Sequence, residues 1–514
     1  MKSAESWSRY ILLPEEGAIA PSGPAAELLD RLPRARSMGQ PEVASLDAVE
    51  GLEVTVVDTV SPDGPRLVEA NAEIADMVNR SRAPLRMMPL VEFAPPDPPL
   101  RVYDEAALTA SSGGTPTSPV EVEFTCTDAA TGAGLAGARV LAYTDFFNEV
   151  GAEGLTGASG TLTLTLTLKE GKIERLYVYA PQTGTAYWGC FMHSLTVGGP
   201  VAVSLTPVDL SYVDSVRYYY GSSKFDAERG VEVGVIDTGV GPHRDLTVIG
   251  GANTVIGESA GDFTDPRGHG THVAGLIGSG GAPPTGLRGL APGVRLRAYR
   301  VFAKPPPPPA RPGGATNWAI QKAIYRAVED GCDVINLSLG GGPHDPAVER
   351  AVIDARKAGM LVVVAAGNDT RFPASFPSVY PAATAVTAMG RRGTFPVGSL
   401  EESKVAQLPE GKDPDEFLAS FSNVGQEVSV TAPGVGDLST LPGDRFGPMN
   451  GTSMAAPVVA GAVACLLSKE AAVYEMARDF ARSAAIENLL LENCRSLEFG
   501  AIYEGKGMPD PAVV

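Results

Sequence analysis

The second half of this chain predicts an α/β fold, a parallel sheet with helices on both faces, and three observations carry that expectation. Short β-branched runs end in polar or glycine turns at residues 231–239, 333–337 and 361–368. Between them lie stretches with apolar residues at helical spacing, Ile320, Ile324 and Val328 in one and Val348, Val352 and Ala355 in the next. Alternating strands and helices pair their strands in parallel, with the crossover helices packed on the faces. Third, the sixteen residues from 452 to 467 carry no charge. Such a segment is apolar on every side and reads as a helix buried in the middle of a domain.

Two smaller units precede this one. Residues 1–95 read as a ferredoxin-like α+β unit in β-α-β-β-α-β order. Its strands are expected at 10–13, 52–57, 66–68 and 85–93. A first helix is expected over 24–32, through Leu28, Leu29 and Leu32, and a second over 71–79, capped by Asn71 with Ile74, Met77 and Val78 on one face. Residues 96–119 are rich in Pro, Gly and Ser and read as an exposed linker. Residues 120–208 change character. Val120, Val122, Phe124 and Cys126 alternate with Glu121, Glu123 and Thr125, and 161–168 alternates Thr with Leu. Further strands fall at 176–179 and 201–205, with glycine-rich turns between, so this unit reads as an all-β sandwich. Residues 209–514 form the α/β unit.

Composition narrows the function. The 514 residues are 44% hydrophobic, enough for several cores, and carry a formal net charge of −19. That balance argues against nucleic-acid and anionic-membrane partners. No apolar run reads as a membrane span. Residues 1–13 lack a secretory h-region, so a cytoplasmic setting is expected, although a chain whose signal had been removed would look the same. The five cysteines show no metal spacing; Cys126 and Cys190 share the β-rich region and are candidates to pair.

Four stretches carry chemistry. In Asn450-Gly451-Thr452-Ser453-Met454, a glycine turn enters the uncharged helix, which holds the Ser453 hydroxyl at an electropositive helix N-terminus. A lone Ser there is ordinarily just a cap. Asp237 ends a buried strand, where open α/β sheets place their sites. His269, flanked by Gly268 and Gly270, stands at another helix entrance. Asp, His and Ser in that order match one of the three chain orders in which serine-protease triads occur. Asn368 closes the buried strand read over 361–368 in a Gly-Asn turn.

The motifs Asp237-Thr238-Gly239, Gly268-His269-Gly270-Thr271-His272-Val273-Ala274-Gly275, Ala365-Ala366-Gly367-Asn368 and 450–457 together resemble the subtilases, the subtilisin-like serine peptidases, over residues 230–510. The resemblance implies a subtilisin-like fold and a serine endopeptidase acting through an acyl-enzyme. By it, Ser453 is the nucleophile, His269 the general base and acid, Asp237 the carboxylate orienting His269, and Asn368 an oxyanion donor beside the Ser453 N–H. It also places Ser338, Leu339 and Gly340 at substrate, with Gly313 and Gly314 bordering the cleft. His272, three residues after His269, competes for the base role and is assigned a structural one, because the family motif begins with the catalytic histidine.

The resemblance further implies protein or peptide substrates and makes residues 1–95 similar to a prodomain that assists folding and then plugs the cleft. Self-processing is then expected, with the cut between Phe93 and Pro119, favoured within residues 100–115, and a fallback cut between Val208 and Val231. The segment from Asp128 to Val140 resembles carboxypeptidase-regulatory-like sandwiches, which serve as spacers or docking modules. No cofactor is required for the chemistry. Asp245 matches a position that binds calcium in some relatives, but the loop 280–286 lacks the usual oxygen-bearing side chains, so structural calcium is left open and no metal ligand is assigned. Two segments depart from the family pattern: the prolines at 305–309, read as a stiff spacer, and an insertion between 391 and 420, read as a surface loop. The alternative function is a peptide-capturing or scaffold protein whose protease unit mainly matures its own chain; a missing triad member would mark pure peptide capture, and none is missing, while multiple turnover on unfolded protein after maturation separates the scaffold reading.

Overall fold

The computed structural model describes residues 7–14, 42–45, 53–60, 64–81, 84–93, 118–181, 184–221, 229–306, 313–510 and 512–513. The expected helix over 24–32, the linker up to residue 117 and the prolines 307–309 lie outside these residues.

The α/β unit is built on one sheet. Its order runs Val248–Asn253, Arg295–Arg300, Glu232–Asp237, Val334–Leu337, Leu361–Ala365, Thr384–Arg391. These strands pair in parallel. Chain order reverses between Glu232–Asp237 and Val334–Leu337, and the crevice at such a reversal is where α/β sheets bind ligands. Glu416–Leu418 closes one edge antiparallel. The uncharged run forms the helix Thr452–Lys469, buried from Thr452 through Ser468. By length and composition it would span a bilayer, but 89% of that window lies inside the protein, so it is the central core helix. The two amphipathic stretches form Asn317–Glu329 and Pro346–Lys357. Thr316 caps the first by accepting from Ala319 N–H, and Asp345 caps the second by accepting from Val348 N–H.

In the sandwich unit a sheet of Thr161–Leu166, Val120–Asp128 and Val201–Leu205 faces a second of Cys190–Thr196, Lys172–Tyr179, Arg139–Asp145 and Val150–Leu155. Inward Val122, Phe124 and Cys126 meet Val140, Leu176 and Val178 in one core. Cys126 and Cys190 do not pair: both thiols are free. Each belongs to a different sheet, and burial pushes both thiols up to about 11, which disfavours the thiolate that disulfide exchange requires.

The first unit is a five-stranded sheet, ordered Glu42–Ser45, Glu53–Thr59, Arg66–Ala70, Ser8–Pro14, Leu85–Pro89, with the helix Ala72–Arg80 capped by Asn71. Its neighbouring strands run antiparallel. The expected strand over 85–93 is corrected here. It ends at Pro89, and Glu92–Phe93 leaves the sheet to pair with Ala315–Thr316 of the α/β unit. The unit rests on the helix that follows. Asp58 accepts from Trp318 Nε1 at 3.0 Å and from Lys322 Nζ at 2.6 Å, and Ile11, Leu13 and Leu67 pack on Trp318.

The 391–420 insertion is also more ordered than a surface loop. It contains a 3₁₀ turn at Leu400–Lys404 as well as the strand Glu416–Leu418.

Candidate active site

The structure brings Asp237, His269, Ser453 and Asn368 to one end of the parallel sheet. Asp237 is the last residue of its strand and fully buried. Its Oδ1 accepts from the His269 ring at Nδ1, 2.7 Å away, and from the Thr238 N–H at 2.6 Å. That bond fixes the imidazole tautomer with the proton on Nδ1 and turns Nε2 away from the carboxylate.

His269 opens the helix His269–Gly278, entered through Gly268 at φ 94°, a backbone that glycine adopts without strain. Gly268 supplies no side-chain cap. The cap comes from Asp265, which accepts from Gly268 N–H (2.8 Å), Thr271 N–H (2.8 Å) and Thr271 Oγ1 (2.6 Å). Asp265 also accepts from Thr238 Oγ1 at 2.8 Å, and that hydroxyl accepts from Gly270 N–H at 2.8 Å. Asp265 and Thr238 thus tie the Asp237 strand to the His269 helix. Sequence reading missed them both, although an Asp three residues ahead of a glycine helix entrance is a cap signal.

His272 lies away from this chemistry. It is fully buried, its Nε2 bonds the Gly447 carbonyl at 3.0 Å, and burial drives its pKa down to about 3. It stays neutral and pins the strand Arg445–Met449 that leads to Ser453.

Ser453 is the second residue of the central helix, entered through Gly451 at φ 152°. Its Oγ donates to the Ser338 carbonyl at 3.4 Å, and Ser338 Oγ donates to the Ser453 carbonyl at 2.8 Å. Asn336 Nδ2 in turn donates to Ser338 Oγ at 2.9 Å. Asn368 Oδ1 accepts from both Thr452 N–H and Thr452 Oγ1 at 2.9 Å. Those two donors leave only one orientation for the amide, so Nδ2 is the end beside Gly451. A hydroxyl, a tautomer-fixed imidazole and an amide N–H are the parts that acyl transfer needs.

Gly313 and Gly314 lead into the strand Ala315–Thr316, beside Glu92 and Phe93. Arg267, stacked over Phe302, donates from Nη2 to the carbonyls of Ala303 (2.8 Å) and Gly313 (3.1 Å) and holds that segment in place. A Cβ on Gly314 would lie 1.8 Å from the Phe93 carbonyl, so only glycine permits the paired strand. A Cβ on Gly342 would overlap the Phe93 ring. Phe93 is fully buried there, in one core with Leu339 and Phe302. Gly340 packs against Ser375.

Asp245, the position singled out for calcium, keeps one carboxylate oxygen without a hydrogen-bond partner. Its Oδ2 is buried against Gly281 and Gly286, and the nearby Thr285 carbonyl is taken by the Arg244 guanidinium. No cluster of three or more His, Cys, Asp or Glu side chains suited to a metal occurs among the described residues.

Residues 228–503 match the model of the subtilase family. The chain is 38% identical to Subtilisin DY of Bacillus licheniformis over 283 residues, 54% of this chain and 88% of that one. It is 38% identical to Subtilisin E of Bacillus subtilis over 314 residues, 59% and 74% of the two chains. It is 37% identical to Subtilisin Savinase of Lederbergia lenta over 240 residues, 47% and 77%.

Proposed function

The chain belongs to the subtilase family and is a serine endopeptidase, and from that premise we propose how its own residues carry the reaction. Ser453 Oγ attacks the peptide carbonyl while His269 Nε2 takes its proton. Asp237, buried and bonded to Nδ1, stabilises the imidazolium that forms. The Asn368 amide and the Ser453 N–H receive the developing oxyanion. His269 then passes its proton to the leaving amine, and water cleaves the acyl-enzyme by the same steps in reverse. The observation that carries this reading is the 2.7 Å bond from His269 to the strand-end Asp237, with Ser453 held at a helix start by Ser338.

We further propose that residues 1–95 are an inhibitory prodomain. Supporting this is the tail Glu92–Phe93, which pairs with Ala315–Thr316 as an added strand in the manner of an extended peptide. Ser338, Leu339, Gly340, Gly313 and Gly314 are the proposed substrate contacts. The test of the nucleophile is labelling by a fluorophosphonate. Ser453→Ala abolishes it, whereas His272→Ala, if folded, retains it; labelling that survives the loss of Ser453 would remove the assignment.

A further inference from the structure

The 391–420 insertion touches the sandwich on one side and the nucleophile turn on the other. Toward the sandwich, Phe191 N–H donates to the Gly398 carbonyl at 2.8 Å, and Leu400 N–H donates to the Gly189 carbonyl at 3.2 Å. Ser399 bridges Cys190 between them. Leu400 lies where a Cβ on Gly189 would stand and packs with Leu141, Tyr143 and Tyr177 on the outer face of the sandwich. The sandwich is therefore bonded, backbone to backbone, to residues 398–400.

The next residue faces the other way. Glu401 is 2% exposed, and its Oε1 accepts from Asn450 Nδ2 at 3.0 Å. Asn450 Oδ1 accepts from Gly436 N–H at 2.9 Å, so both ends of the amide are held. Gly436 is itself packed between Glu401 and Trp188, the latter from the segment leading into the sandwich strand Cys190–Thr196. Asn450 is followed directly by Gly451, Thr452 and Ser453. Burying a carboxylate is costly, and Glu401 Oε2 is buried with no hydrogen-bond partner. Such a residue weakens the fold as packing; what it provides is an acceptor that fixes Asn450.

We propose that Glu401 is a positioning residue for the nucleophile turn, and that the sandwich, acting through residues 398–401, is a standing part of the catalytic unit instead of a spacer. This rests on the assignment of Ser453 as nucleophile. The chain of contacts runs from Gly189 and Phe191 through Leu400 to Glu401, then to Asn450 and the Ser453 turn. It holds the turn at Asn450, while Asn368 holds it at Thr452.

The test uses the full chain as wild type, Glu401→Ala, Glu401→Gln and Leu400→Ala. Each is measured for kcat and KM on a chromogenic peptide, for the rate of fluorophosphonate inactivation, for the labelled residue by mass spectrometry, and for Tm. Glu401→Ala is expected to lower kcat and the inactivation rate by roughly ten- to a hundredfold, the scale of a misplaced reacting group. KM should stay within about twofold, because ground-state contacts are untouched. Glu401→Gln keeps an acceptor oxygen for Asn450 and should recover most of the loss. Leu400→Ala, which contacts no part of the cleft, should lower kcat in the same direction. The proposal is overturned if Glu401→Ala retains wild-type kcat per labelled site, whatever its Tm, or if Gln is as defective as Ala. A wild-type protein labelled elsewhere than Ser453 sinks the underlying assignment; a Ser453-labelled wild type with an unaffected Glu401→Ala sinks this proposal alone.

Discussion

Phe93→Ala is the sharpest test of the proposed inhibitory role of residues 1–95. The ring is fully buried, wedged beside Gly342 in the core that includes Leu339 and Phe302. Truncating a buried Phe to Ala removes about 3–5 kcal/mol. The neighbouring contacts survive: the backbone pairing to Ala315–Thr316, the Asn317 bonds to Val91 and Pro89, and Asp58 on Trp318 and Lys322. Taking the lower figure, about 3 kcal/mol is roughly a 150-fold weaker grip on the cleft. The assay follows processed, full-length-derived enzyme diluted into a peptide substrate, where release of the inhibitor is seen as a lag before steady hydrolysis. Phe93→Ala should shorten the lag by about two orders of magnitude, while Glu92→Ala, whose side chain is exposed, should leave it within about twofold. An equal lag for wild type and Phe93→Ala, with the same Tm for the protease unit, would refute the claim that Phe93 anchors the tail.

Four other outcomes are expected. Phe93 rests on Gly342, four residues past Ser338, so the cut should lie close after Phe93, within residues 94–100, and not between 100 and 115 as sequence suggests; these residues lie outside the described ones. Bonds preceding proline are poor substrates, which leaves Pro96–Asp97 and Pro99–Leu100 as the favoured bonds beyond Ala94. Amino-terminal sequencing of wild type beside Ser453→Ala decides it, and a wild-type N-terminus beyond residue 101 counts against the register. Rising pH should raise kcat/KM through roughly 6 to 8 as the imidazole base deprotonates; a flat profile would remove His269 from that role. His272 is held neutral with its pKa lowered to about 3, so the unfolded chain binds a proton that the folded chain refuses. Its stabilising contribution is complete above its unfolded pKa and is lost as pH falls from there toward 3, so in a Tm series His272→Asn should flatten that acid limb. Finally, with Cys126 and Cys190 as free buried thiols, reductant should leave Tm unchanged, and alkylation should require unfolding.

Much of the site was legible because its residues sit at local signals. Ser453 and His269 each follow a glycine at a helix entrance, and Asp237 and Asn368 each lie at or just past the end of an apolar strand. What was hidden depends on contacts between distant segments. Glu401 looks like a surface acid in its own neighbourhood, and its meaning comes only from Asn450, 49 residues on. The strand Arg139–Asp145 is buried on both faces in its middle, so it lacks the alternation that exposed Thr161–Leu166. The break after Pro89 was missed because Met88 to Phe93 reads as a continuous extended run. Pro89 was the available signal, since proline cannot donate within a ladder.

The strand that seats Glu92–Phe93 has a consequence for what the enzyme attacks. Ala315–Thr316 pairs backbone to backbone with Glu92–Phe93, and the missing side chain of Gly314 is what lets the Phe93 carbonyl come so close. Backbone is the same in every protein, so such a pairing sorts its targets by shape before it sorts them by side chain. A native surface loop, curved and already bonded to itself, does not present several consecutive residues as a straight ribbon. A frayed terminus or an unravelled chain does. On the proposed reading, in which substrate takes the place of Glu92–Phe93, the protease becomes a gauge of foldedness that favours polypeptide that has lost, or not yet gained, its own structure.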